Sequence, residues 1–184
     1  MRLYDWLVRH NDVIVQAEED GTVYASDRYI LINATAVAKK GSYPVESGMY
    51  EILKTKFVKL CDPVQSDGFF RKFLGDRVKE YRGNPDDWQP VTPTKWVQTP
   101  SSTRSLRVYS MGDGVPVYLD EVYARALMGD FRDPQGSRYS LVGRDPNKAL
   151  LIRGPSPSDE FVGMVMPVRS VNDPVGDFAA RSAK

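Results

Sequence analysis

The sequence predicts an α+β fold dominated by antiparallel sheet with short helices, and three observations carry that prediction. Three β-like runs near the start follow one another, with the Asp20-Gly21 pair of a tight hairpin turn between the first two. In the middle, apolar residues recur at helical spacing. In the last third, strand-like and helix-like runs follow one another between Gly, Pro and Asp turns.

At 184 residues the chain is long enough to bury a core without disulfide or metal staples. Lys and Arg number 25 against 24 Asp and Glu, so the formal charge is only +1. That balance excludes a generally basic nucleic-acid coat and an acidic disordered tail, and makes any basic surface local. The lone cysteine, Cys61, has no partner for an internal disulfide, which fits a reducing cytoplasm. No apolar run approaches the roughly 20 residues of a membrane helix, and the N-terminus lacks a signal-peptide apolar stretch. A soluble cytoplasmic protein without membrane contact is expected.

The opening "LYDWLVRH" places Leu3, Trp6 and Leu7 on one helical face. "DVIVQAEE", "GTVYASD" and "RYILINATAVA" then read as an antiparallel meander. From Gly41 the pattern turns helical: Met49, Ile52, Leu53, Phe57 and Leu60 recur at helical intervals. "SDGFFRKFLGDRVKEYRG" predicts a further helix starting near Ser66 or Asp67. Residues 83–103, rich in Pro, Thr and Ser, read as an ordered loop or linker carrying Trp88 and Trp96, rings that suit either core packing or a partner surface. In the last third "RSLRVYSM" reads as a strand and "VPVYLDEVYARALMG" as a helix with Pro116 in its first turn and Gly129 as its stop. "SRYSLVGR", "ALLIRG" and "FVGMVMPVR" read as three strands joined by "DPNK" and "PSPSDE" turns, giving a β-α-β-β-β order. The tail from residue 171 to residue 184 reads as loosely held.

Proline cannot donate to a ladder, so a strand closing on Met166-Pro167 must lie at a sheet edge or stop pairing there. One reading is an ordinary edge strand with Arg169 reaching solvent. Another is a docking groove, in which unpaired backbone beside an apolar floor accepts an extended peptide.

This closing unit resembles the last half-domain of bacterial DNA polymerase sliding clamps. The resemblance is carried, in order, by Tyr118-Leu119-Asp120, Asp145-Pro146-Asn147-Lys148-Ala149-Leu150-Leu151-Ile152, Ser158-Asp159-Glu160 and Met166-Pro167-Val168-Arg169. It covers residues 104–170, with residues 1–40 fitting by pattern alone. It implies one clamp-like domain over residues 1–170 with a helical insertion at about 41–103. A clamp subunit has three such domains, so a closed ring built from this chain implies a homo-oligomer. The resemblance also implies a non-enzymatic processivity factor of DNA replication or repair, without a cofactor. Met166, Pro167, Val168 and Arg169 would line the pocket for short peptides of replication or repair proteins. Lys54, Lys56, Lys59, Arg71, Lys72, Arg77, Lys79 and Arg82 would contact phosphates of double-stranded DNA non-specifically. The same charges, interspersed with Asp76 and Glu80, also read as a plain solvated helix face.

Catalytic patterns are weak. His10 and Cys61 are a lone pair without a supporting motif, and no Cys/His spacing suits zinc. Phosphate-loop and dinucleotide fingerprints are missing. Asp113, Asp120 and Glu121 cluster near one turn, where a divalent cation or the helix dipole would each favour them. "QSDGFF", Gln65 to Phe70, loosely resembles the Gln-initiated, aromatic-ended peptides that bind into clamps, although it lacks their leucine. That leaves a second reading open: a partner-binding regulatory or inhibitory protein without clamp ancestry.

Overall fold

The structure is a computed structural model that describes residues 14–18, 20, 22–33, 36, 68–128, 139–154 and 160–169. The expected opening helix, the helix over Met49 to Leu60, Lys54, Lys56, Lys59, His10, Cys61 and the tail all lie outside the described residues.

Among the described residues, nine antiparallel strands form one sheet. They are β1 Ile14–Ala17, β2 Val23–Ser26, β3 Ile30–Asn33, β4 Gln89–Ser101, β5 Arg104–Met111, β6 Val115–Asp120, β7 Ser140–Gly143, β8 Leu150–Arg153 and β9 Phe161–Val165. Across the sheet they run β1-β2-β3-β9-β8-β7-β4-β5-β6. Helices with described bounds are α1 Phe69–Gly83 and α2 Glu121–Met128, with a 3-10 turn at Pro85–Asp87. An α+β fold made mostly of antiparallel sheet is therefore as expected.

The N-terminal meander forms as its β-like runs imply. Ala17 pairs with Val23 and Tyr24 with Asn33. Strand alternation sends Val23 and Ala25 to one face and Tyr24 to the other, and both faces are covered. On the first face a large cluster runs from Ile30 and Ile32 through Leu150, Ile152 and Val162 to Tyr109, Val117 and Leu119, capped by Ala124, Ala126 and Leu127 of α2. On the second, Phe70, Leu74, Val78 and Tyr81 of α1, at i, i+4, i+8 and i+11, lie against Tyr24, Leu31, Leu151, Phe161 and Met164. Trp88 closes that cluster, with Tyr81 edge-on at 5.7 Å and the Arg77 guanidinium 4.9 Å from its ring centre. The core reading of Trp88 is thus the observed one, whereas Trp96 stays partly exposed.

Two elements differ from expectation. Residues 115–120 are strand, not the first turns of a helix: β6 pairs with β5 from Met111↔Val115 to Leu106↔Asp120. Pro116 is tolerated because β6 is the last strand of the sheet, where a missing N–H costs little. The helix begins only at Glu121, where the Asp120 carboxylate accepts the Val122 N–H at 3.2 Å. The closing order is accordingly β5-β6-α2-β7-β8-β9.

The second difference is in residues 83–103, which form the 3-10 turn and the long β4 in place of a loop. β4 pairs with β5 along its length and with β7 only over Gln89 to Val91. Pro93 and Pro100 therefore fall where β4 has a neighbour on one side only. A register shift between Pro93 and Val97 lets Thr94 turn inward, where its hydroxyl donates to the Val108 carbonyl at 2.6 Å.

A buried ion pair locks this region to α2. Arg107 donates to both Glu121 carboxylate oxygens, at 3.1 and 3.3 Å, and to the Thr94 carbonyl at 3.2 Å. Arg125 adds a bond to Glu121 at 3.1 Å. So fork, carboxylate and bulge satisfy one another in a place where an unpaired charge would be costly.

Candidate docking site and basic helix face

β9 runs between β3 and β8, so the Met166-Pro167 segment does not follow an edge strand. Pairing stops at Val165, as the proline requires, and the chain then crosses towards β6. Met166 N–H donates to the Tyr29 carbonyl at 2.7 Å, and Val168 N–H donates to the Tyr118 carbonyl at 2.8 Å. Through that last contact the strands from β9 round to β6 close on themselves by a single bridge, Tyr118↔Val168. Contrary to expectation, the donors around Pro167 are not left unpaired: both flanking N–H groups are used, one by the Tyr29 carbonyl in the turn before β3 and the other by the Tyr118 carbonyl within β6.

The four expected pocket residues differ in exposure. Pro167 is buried, Val168 packs on Leu106, Val108 and Tyr118, and Arg169 is exposed. Met166 is 38% exposed beside Tyr29, which is 59% exposed. The Tyr29 ring lies 6.4 Å from that of Tyr123 on α2, tilted by 33°. Methionine and two tyrosines thus border one surface at the point where β9 leaves the sheet.

A turn holds that surface rigid. Asp27 Oδ1 accepts the N–H groups of Tyr29 and Ile30, each at 3.0 Å, and Asp27 Oδ2 accepts the Tyr123 hydroxyl at 2.6 Å. Arg28 between them takes φ 80°, a left-handed conformation that a non-glycine residue adopts only when its neighbours enforce it. Burial, then the bond to Asp27, push the Tyr123 hydroxyl above the usual tyrosine range, so it stays protonated as the donor. Sequence reasoning missed Asp27, Tyr29 and Tyr123. The one local signal for them is "SDRY", an Asp at a turn followed by an aromatic residue.

The second expected site lies on α1. Gly68 precedes the helix at φ 66°, and the buried Gln16 side chain of β1 satisfies its first turn, accepting the Phe70 N–H at 3.0 Å while donating to Glu18 at 2.7 Å. Phe69 and Phe70 thus open a helix, so they do not form the end of an extended clamp-binding peptide. Lys72, Lys79 and Arg82 fall on one strip at spacings of seven and three, with Gly75 between the first two. Arg71 lies next to that strip and is engaged by Asp20 and, at 3.9 Å, by Glu18. The Thr22 backbone N–H, with help from Arg71, lowers the Asp20 carboxyl to about 2. Arg77 faces the core side, bonded to Glu80 and to the Ala149 carbonyl at 3.4 Å, so it is not part of the strip. Lys79 sits 3.8 Å from Asp76 with most of its side chain in solvent. Lys72 and Arg82 have no carboxylate partner among the described residues.

The acidic cluster at the β6–α2 junction is spoken for: Asp120 meets Arg104 at 3.2 Å, and Glu121 meets Arg107 and Arg125. Among the described residues no group of three or more His, Cys, Asp or Glu is arranged to hold a metal ion. No helix among them is long and apolar enough to cross a membrane.

Compared with known proteins, the chain matches no family model, no curated protein and no solved structure.

Proposed function

We propose that the protein is a non-enzymatic docking module of DNA replication or repair, related in design to sliding clamps. It engages short extended peptides of replication proteins at the Tyr29–Met166 surface and contacts DNA through α1. The observation that supports this reading most is the half-exposed Met166, hydrogen-bonded through its own N–H to the turn that presents Tyr29. Methionine is polarisable and adaptable, and tyrosine gives a large contact at little entropic cost; together they make a surface suited to an apolar side chain on an incoming peptide. The order of the four clamp-like sequence stretches supports the choice of partner class.

The test is fluorescence anisotropy with a labelled peptide that begins with Gln and ends in Leu and Phe, titrated with wild-type protein and with Met166→Glu. Saturable binding that the variant weakens by about tenfold or more, the effect of burying a charge in an apolar contact, supports the reading. Equal binding by both proteins, or none by either, removes it.

A regulatory protein that binds partners without clamp ancestry is the second reading. It is favoured by one observation: the strand of β6 ends at Asp120, inside the stretch that the clamp resemblance assigns to helix.

A further inference from the structure

We propose that the outer surface of α1 binds single-stranded nucleic acid, with Phe69 and Phe73 stacking on bases while Lys72, Lys79 and Arg82 hold phosphates across the gap at Gly75. The inference deepens the reading of α1 as the DNA-contacting element and rests on it.

Four observations point to this ligand. Phe69 and Phe73 are 62% and 51% exposed, and their rings lie parallel to within 7° at 5.8 Å, forming one flat apolar edge in water. Two large rings side by side in solvent, on a helix whose other side is well packed, form an exposed apolar patch of the kind that marks a ligand surface. Next to them runs the strip of Lys72, Lys79 and Arg82, about 15 Å long at the helical rise of about 1.5 Å per residue. Lys72 and Arg82 carry no carboxylate partner among the described residues, so their charge is available to an anion. Between Lys72 and Lys79 stands Gly75, where an added Cβ would meet nothing within 4 Å. A glycine inside a helix is unfavourable, and no packing on this side explains it; it leaves an open floor on which a ligand backbone can approach the helix closely.

Charge and rings together decide the class. Phosphates answer the cations, and only an unpaired strand offers free base faces to the phenyl rings, because a duplex keeps its bases stacked inside. An apolar protein partner would use the rings but leave Lys72 and Arg82, which have no carboxylate partner among the described residues, without a role.

The experiment titrates the full chain against a labelled oligothymidylate of about 15 nucleotides, near the upper site size for one small domain, and against a duplex of the same length. Both are measured across salt. Tighter binding of the single strand is expected. Phe69→Ala with Phe73→Ala should weaken it by about tenfold or more and leave duplex affinity unchanged. Lys72→Glu with Arg82→Glu should lower the salt slope by about 0.7 for each phosphate that is no longer neutralised. These side chains are exposed, and unchanged far-ultraviolet circular dichroism confirms that each variant is folded. Equal affinity for duplex and single strand, with no effect of the phenylalanine changes, overturns the inference but leaves α1 as a DNA-contacting helix. No binding of either nucleic acid at low salt overturns both.

Discussion

Gly163→Ala is the substitution that most directly probes how β9 is held. A Cβ at this position would lie 2.2 Å from the Leu31 carbonyl oxygen and 3.1 Å from Ile32 Cα. Both obstacles are backbone, so no side-chain rotation relieves them; β3 and β9 must part by close to an ångström. Overpacking of this kind costs about 1–3 kcal/mol. The neighbouring pairs Leu31↔Met164 and Ile30↔Val165 would stretch as well, and each weakened hydrogen bond adds about 1 kcal/mol. A total loss of about 3–5 kcal/mol follows, which for a chain of this size lowers the melting temperature by roughly 6–20 °C. Urea unfolding and thermal melts read it directly. Gly75→Ala is the control: with open space around its Cβ it should stabilise the protein by about 1 kcal/mol through helix propensity alone. If Gly163→Ala costs less than about 1 kcal/mol, the close approach of β3 to β9 is wrong, and the placement of Tyr29 beside Met166 loses its basis.

Three further outcomes are expected. Glu121→Ala strands the buried Arg107 and should cost about 3–5 kcal/mol in urea unfolding, whereas replacing both partners together by Leu and Met should cost far less, because no charge is left unpaired. Tyr123→Phe removes the bond to Asp27 and should destabilise by about 1 kcal/mol, with faster amide exchange at Tyr29 and Ile30 as the turn loosens. Asp20 has its carboxyl lowered from 3.8 to about 2 in the folded protein, so the stability it contributes is present above pH 4 and fades as pH falls towards 2. Unfolding curves collected across that interval should lose part of their pH slope in Asp20→Asn.

Much of the fold was legible in local pattern, and the exceptions share a cause. β1 to β3 are legible because short β-branched and aromatic runs flank an Asp-Gly turn, and α1 because Phe70, Leu74 and Val78 repeat every fourth residue. β6 looks like a helix in sequence because a proline followed by early acids is the same at a helix start and on an edge strand; its full-length pairing with β5, which no local window contains, decides the matter. β4 reads as a loop in sequence because its prolines argue against a strand; one-sided pairing makes Pro93 and Pro100 acceptable, and Pro90 is the second residue of the strand, just beyond its last pair with β5 at Val91↔Met111. At the candidate site, Met166 and Pro167 stood out in sequence because a Pro-ended strand is unusual. Tyr29 and Tyr123 did not, since their sequence separation hides the neighbourhood that Asp27 creates between a hairpin turn and α2. On α1 the sequence shows the cations but not which ones are engaged: Arg71 and Arg77 are occupied by acids and a carbonyl and Lys79 lies near Asp76, while Lys72 and Arg82 have no carboxylate partner among the described residues.

Hydrogen–deuterium exchange with and without the Gln-initiated peptide tests the docking surface most directly, because it reads both sides of that surface at once. Slowed exchange confined to residues 27–30, 122–125 and 164–168 is the expected result. Slowed exchange elsewhere in the sheet, with those three segments unchanged, would contradict docking at Tyr29 and Met166.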